Sequence, residues 1–263
     1  MTSAFLPVRM DGKRVLVTAG ASGIGATIAA AFAGSGAAVH VCDIDAGAVA
    51  TFAKAHTAMT AEVADVADVR AVDDMFARYL ARHGGIDVLV NNAGIAGPTA
   101  LVENIDPQEL RRTMAIDLEA MFHCCRHVVP AMKAQRYGIV LNLSSIAGRL
   151  SFPLRTPYAS AKWGVIGFTK SLAMEAGCDG VRVNAILPGH VNTTRFQGVV
   201  ERRARTMNVS TEEMRARFLD RVALGTTVET FDVANVALFL ASPYGHMISG
   251  QAISVCGGVE MMA

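Results

Sequence analysis

Tyr158 and Lys162 stand four residues apart. On a helix that spacing puts both side chains on one face, one turn apart. A phenol held beside an ammonium is an acid/base device, because a fixed positive charge favours the phenolate. A group that ordinarily titrates near ~10 can then work around neutral pH. A lone Tyr-x-x-x-Lys pair is equally an ordinary solvated helix pair, so its meaning depends on the elements around it.

Those elements alternate. Short apolar runs at 15–18, 37–43, 58–63, 86–91, 138–144, 181–187 and 252–256 read as strands. Helical stretches separate them, including a long one at 107–133 and the helix at 157–176 that carries Tyr158 and Lys162. Strands alternating with helices of this length predict a parallel sheet covered on both faces. The strands lack polar alternation, as burial on both faces requires. No linker or repeat divides the 263 residues, so one domain is expected over 1–263. Residues 194–230 depart from the rhythm, with many arginines and helical patches at 197–206 and 211–222. An insertion there sits above the carboxyl ends of the strands, where open α/β sheets bind ligands, and reads as a substrate lid.

The first strand runs into Ala19-Gly20-Ala21-Ser22-Gly23-Ile24-Gly25 and then an Ala-rich helix. A strand, a Gly-rich turn and a helix N-terminus present free N–H groups and a positive dipole to a pyrophosphate. Asp43 ends the second strand, eighteen residues beyond Gly25. A carboxylate there accepts hydrogen bonds from a ribose and repels a 2′-phosphate. Ile44 and Ser22 offer no compensating cation. The expected cofactor is NAD (NADH/NAD⁺) in preference to NADP. Asn91-Asn92-Ala93-Gly94 closes another strand, where Asn and Gly are also ordinary turn residues.

Composition narrows the class. Hydrophobic residues make up 52% and charged residues 18%, with a net charge of +1. That is a folded composition with no global field to attract nucleic acid or an acidic membrane. Five cysteines without metal-ligand spacing read as reduced thiols of a cytoplasmic protein, and no metal is expected. Neither a signal peptide nor a membrane span is predicted.

Taken together, residues 18–25, Asp65-Val66, 91–94, Ser145, Tyr158-x-x-x-Lys162 and Pro188-Gly189 resemble the classical short-chain dehydrogenase/reductase family, from about residue 11 to 260. The resemblance implies a Rossmann-type, doubly wound three-layer α/β fold with about seven strands. It makes Tyr158 the acid/base. Lys162 favours the phenolate and binds the nicotinamide ribose, and Ser145 polarises the substrate oxygen. Ser22, Gly23, Ile24, Gly25, Asp43, Asp65, Val66, Asn91, Ala93, Gly94, Pro188, Gly189, Val191 and Thr193 would surround the cofactor. A homotetramer is implied. Three departures stand out. Ala19 replaces a usual Gly, which is tolerable if its φ is negative. Asp117 replaces the usual Asn of the proton relay and would place a carboxylate near Lys162. Val255-Cys256-Gly257-Gly258 replaces a usual Val-Asp-Gly-Gly.

The expected reaction is NAD-dependent hydride transfer between nicotinamide and a secondary alcohol or ketone. The resemblance also implies that the segments carrying Arg149, Arg155 and His190 approach the site. An Arg fork suits an anion, and Arg149, His190 and Arg195 are the candidate substrate contacts for a sugar, polyol or hydroxy acid. Most lid arginines read as solvated helix faces. The alternatives are an NADPH-dependent 3-oxoacyl-type ketone reductase and a non-catalytic NAD-binding sensor or scaffold.

Overall fold

The computed structural model describes residues 8–259. Seven parallel strands form one sheet in the order β3-β2-β1-β4-β5-β6-β7. They are β1 (Arg14–Thr18), β2 (Ala38–Asp43), β3 (Thr60–Val63), β4 (Val88–Asn91), β5 (Gly138–Leu143), β6 (Val181–Pro188) and β7 (Ala252–Val255). Successive side chains of a strand point to opposite faces, and the core divides accordingly. Val15 and Val17 join the cluster under helices α1 (Gly23–Gly34) and α9 (Thr230–Ala241), with Ile28, Phe32, Val233 and Leu238. Leu16 points the other way. It joins Val72 and Phe76 of α3 (Val69–His83), Cys124 and Val128 of α5 (Ala120–Ala134), and Leu172 of α6 (Thr156–Ala176). β5 divides in the same way, with Ile139 and Leu141 on the first face and Val140 on the second. Each large buried side chain such as Phe32 or Phe76 contributes about 2–3 kcal/mol. Helix α2 (Ala46–Ala55) closes the first face beside β2 and β3, seating Phe52 in its cluster.

The long helix expected at 107–133 is interrupted. Helix α4 (Pro107–Met114) passes into one π-helical turn, Ala115–Glu119, before α5 begins. The lid segment folds as α7 (Thr194–Met207) and α8 (Thr211–Leu219), which share their own apolar cluster of Phe196, Val200, Ala204, Met214 and Phe218. Strand order reverses between β1 and β4, and a crevice opens there at the carboxyl ends of the strands.

Candidate active site

The β1–α1 turn forms the floor of this crevice. Ser22 is the N-cap of α1, yet its side chain makes no capping bond and no acid occupies the first turn. The leading N–H groups of the helix are left for a ligand. Gly25 is required by packing: a Cβ there would lie 2.3 Å from the Ala19 carbonyl oxygen and 2.5 Å from Asn92 Nδ2. Ala19 itself has φ +47°, so the negative φ expected for an alanine here is not met. A Cβ in the left-handed region costs about 1–2 kcal/mol. Asn92 offsets part of this strain by donating from Nδ2 to the carbonyls of Thr18 and Ala19, both at 3.0 Å.

Asp43 is buried at the end of β2. Its carboxylate accepts from the N–H groups of Ala21 at 3.3 Å and Asp45 at 3.2 Å. It faces the groove beside Ser22, Gly23, Ile24, Asp65, Val66, Ala93 and Gly94. Asp65 holds its own turn, accepting from Ala67 N–H at 2.9 Å. Asn91 behaves differently. Its side chain donates to Asn142 Oδ1 at 2.9 Å inside the sheet, beside Cys125, and its neighbour Asn92 lines the groove. The strand alternation that turns Asn91 inward ends at that residue, which makes Asn92 hard to place from sequence.

The groove continues into a second cavity lined by Ser145, Tyr158, Lys162, Pro188, Gly189, His190, Val191 and Thr193, sharing Ile24, Asn92, Thr193 and Arg195 with the first. Lys162 is almost fully buried. Its Nζ donates to the Leu143 carbonyl at 3.0 Å, lies 3.6 Å from Asp117 Oδ1, and sits 5.7 Å from the Tyr158 ring centre. The helix spacing does bring phenol and ammonium to one face. Ser145 caps a short 3-10 turn, its Oγ accepting from Ala147 N–H at 3.2 Å, so its own proton remains available to a ligand.

Asp117 lies in the π-helical turn, wholly buried. Oδ1 accepts from Ile95 N–H at 2.8 Å, whereas Oδ2 has no partner among the described residues. A Cβ on Gly94 would fall 2.5 Å from that Oδ1 and 3.3 Å from Lys162 Nζ. Gly94 therefore lets the carboxylate and the ammonium close against the backbone. Gly189 is equally constrained, since a Cβ there would lie 2.8 Å from Cys256 Cα.

The three nominated substrate contacts separate. Arg149 binds Ser254 Oγ at 3.4 Å and the Ala252 carbonyl on β7, away from both cavities. His190 is buried, stacked on Phe196 at 5.2 Å and edge-on to Phe218 at 4.9 Å. Burial lowers its pKa to about 4, with Arg221 and Arg203 adding repulsion, so it is neutral at physiological pH. Arg195 lies where the two cavities meet, its Nη2 close to Gly94. Arg155, not among the three, takes the place expected of Arg149. It is 4% exposed, lines the cavity and lies over the Tyr158 ring at 4.5 Å.

The family model described as enoyl-(acyl carrier protein) reductase matches residues 18–260. The chain is a classical short-chain dehydrogenase/reductase. It is 38% identical to a probable galactose dehydrogenase of Rhizobium meliloti (strain 1021), covering 98% of each chain. It is 34% identical to a 3-oxoacyl-[acyl-carrier-protein] reductase of Chlamydia muridarum (strain MoPn / Nigg), covering 94% of this chain and 97% of that one. Among solved structures, a single-substitution variant of actinorhodin polyketide ketoreductase with NADPH superimposes with a TM-score of 0.90 at 32% identity, covering 94% of this chain and 97% of that one. Members of this family are oxidoreductases that bind nicotinamide cofactors. Among the described residues no helix is long and apolar enough to cross a membrane, and no cluster of metal-ligating side chains is present.

Proposed function

We propose that this short-chain dehydrogenase/reductase transfers a hydride between NAD(H) and the carbon of a polar secondary alcohol or its ketone. The convergence of Ser145, Tyr158 and Lys162 on a cavity continuous with the dinucleotide groove carries this reading. The unfilled helix N-terminus, with Gly23 open to the groove at its start, fits a pyrophosphate held close to the backbone. Asp43 would hold the adenosine ribose, Asp65 and Val66 would border the adenine, and Val191 and Thr193 would hold the carboxamide. When bound, the nicotinamide supplies the hydride acceptor or donor.

Tyr158 is the acid/base: as phenolate it takes the alcohol proton, and as phenol it returns a proton to a carbonyl oxygen. Ser145 donates to that same oxygen and holds it against Tyr158. Lys162 supplies a buried positive charge on the Tyr158 face of α6, aimed by Leu143 and Asp117. Asp117 is an anchor for Lys162 in this chain, a role that the usual amide would fill without charge.

NAD is preferred because the β2–α2 turn offers Asp43 and exposed Ile44 and no cation for a 2′-phosphate. Steady-state kinetics with both cofactors test this, and a higher kcat/KM with NADPH would overturn it. The 3-oxoacyl-type reading, supported by the Chlamydia relative, requires NADPH and an acyl-carrier substrate and would be favoured by that result. The assembly is proposed to be a homotetramer, supported by Phe122, Trp163 and Met174 standing exposed on α5 and α6. The five unpaired thiols support a cytoplasmic location.

A further inference from the structure

Arg155 holds a buried positive charge that meets aromatic rings but no carboxylate or hydrogen-bond acceptor among the described residues. The residue is 4% exposed. Its side chain donates no hydrogen bond and enters no ion pair among the described residues, and Nε is closed off from solvent without an acceptor. A buried guanidinium in that condition is costly unless a partner arrives. Desolvation lowers its pKa to about 10; Tyr158 and, more weakly, Asp117 offset part of this, and Arg195 and Arg202 add repulsion. Asp117, the buried acid nearby, turns Oδ1 to Lys162 and the Ile95 N–H, and its unpartnered Oδ2 makes no hydrogen bond to Arg155.

Its placement is equally specific. Arg155 lies three residues before Tyr158, just ahead of α6. The guanidinium carbon lies 4.5 Å from the Tyr158 ring centre and 5.5 Å from that of Phe152. Aromatic faces of this kind hold a guanidinium by its plane and leave its N–H edge to bind a planar anion. Arg155 lines the same cavity as Ser145 and Tyr158, with Arg195 across it at the mouth of the groove.

We propose that Arg155 is a specificity-determining residue that binds the carboxylate of a short hydroxy or oxo acid whose carbinol or carbonyl oxygen lies on Ser145 and Tyr158. This rests on the hydride-transfer reading and narrows its substrate class. The guanidinium and the phenol are close, so acid and carbinol are separated by only a few bonds, as in a 2- or 3-hydroxy acid. Arg149, a candidate on sequence grounds, is committed to β7 and takes no part.

Matched substrate pairs test the proposal on the full-length enzyme with NAD⁺. Lactate and 3-hydroxybutyrate, each as both enantiomers, are compared with their methyl esters. The expected result is about ten-fold or greater preference for an acid over its ester. Arg155→Gln should raise KM for the acid about ten-fold or more relative to any change on the ester, leave the NADH dissociation constant nearly unchanged, and so remove the preference. Arg155→Lys should retain part of it, and it replaces the Gln variant if that one fails to fold. Equal turnover of acid and ester by wild type, or an equal loss on both in Arg155→Gln, overturns the proposal. The second outcome would mean that Arg155 acts through Tyr158.

A binding measurement separates this failure from failure of the parent reading. Acetoacetate should raise the melting temperature of the wild-type enzyme–NADH complex but not that of the Arg155→Gln complex. Binding without turnover would count against hydride transfer and leave the anion site standing. Equal shifts in both proteins, or none in wild type, would overturn the anion site.

Discussion

At the β1–α1 turn the cleft is built from backbone: unfilled N–H groups, a glycine with no room for a side chain, and one carboxylate at a strand end. Across the Tyr158 cavity it is built from the ends of long side chains, from Arg155, Arg195, His190 and Phe218. Backbone geometry follows from the order of strand, turn and helix, so the first region recurs wherever that order does. The direction of an arginine depends on which neighbours lack a charge to meet it, and each chain can settle that differently. The first region therefore reports the class of cofactor and the arginines of the second report the substrate.

The largest expected effect lies at the boundary between the two. Tyr158→Phe should lower kcat by roughly 10²–10⁴-fold, the usual worth of a positioned acid/base. NADH binding, followed by fluorescence titration, should change little. Retention of full turnover would remove the acid/base assignment and leave only the binding groove.

His190 probes the substrate side through stability. The protonated form is disfavoured in the folded state, with a pKa of about 4 against 6.5 for an ordinary histidine. The unfolded chain therefore binds the extra proton between those values, and stability falls as pH drops through that window. The loss reaches about 3 kcal/mol by pH 4 and is absent above pH 6.5. Melting curves should show His190→Phe losing less stability over the same window. Parallel acid limbs for both proteins would mean that the imidazole is not held neutral.

On the cofactor side, Asp43→Asn keeps the shape and removes the charge. The ratio of kcat/KM for NADH over NADPH should fall roughly ten-fold, since a charged ribose contact and a repulsion are lost together. An unchanged ratio would show that cofactor choice is made elsewhere. The smallest effect belongs to Ala19→Gly. Relief of a left-handed alanine should stabilise the protein by about 1 kcal/mol in urea denaturation. No gain would mean that the Asn92 hydrogen bonds already compensate the strain.

The centre of the sheet was legible because buried parallel strands such as β1, β4 and β5 leave apolar runs, while the edge strand β3, with Glu62, is only partly buried and followed from the alternation with helices. Tyr158 and Lys162 were legible because helix spacing alone sets their common face, whereas Ser145, on the turn after β5, was reached through the family resemblance. The sign of φ at Ala19 was not, because a turn between strand and helix is dictated by packing against Asn92 rather than by the residue itself. Arg155 could be placed in a segment near the site but not set above Arg149. Its significance is that no acid among the described residues reaches it, and an unmet contact in space has no signature along the chain. Asn91 was expected at the cofactor, but its side chain bonds Asn142 within the sheet and Asn92 lines the groove instead, since the strand that assigns the first of them a face stops between them.

The π-helical turn at Ala115–Glu119 has a consequence for how this segment tolerates change. It carries one residue more than α-helical pitch would use, and each residue turns a helix by about 100°. The wider turn absorbs that residue locally, so the buried face of α5, with Met121, Cys124, Cys125, Val128 and Met132, keeps its alignment with the sheet. Removing one residue would return the segment to α-helical pitch with α5 still facing the sheet, and the change would fall on the turn itself, where Asp117 meets Lys162. A one-residue deletion there should therefore disturb the Lys162 contact more than the packing of α5.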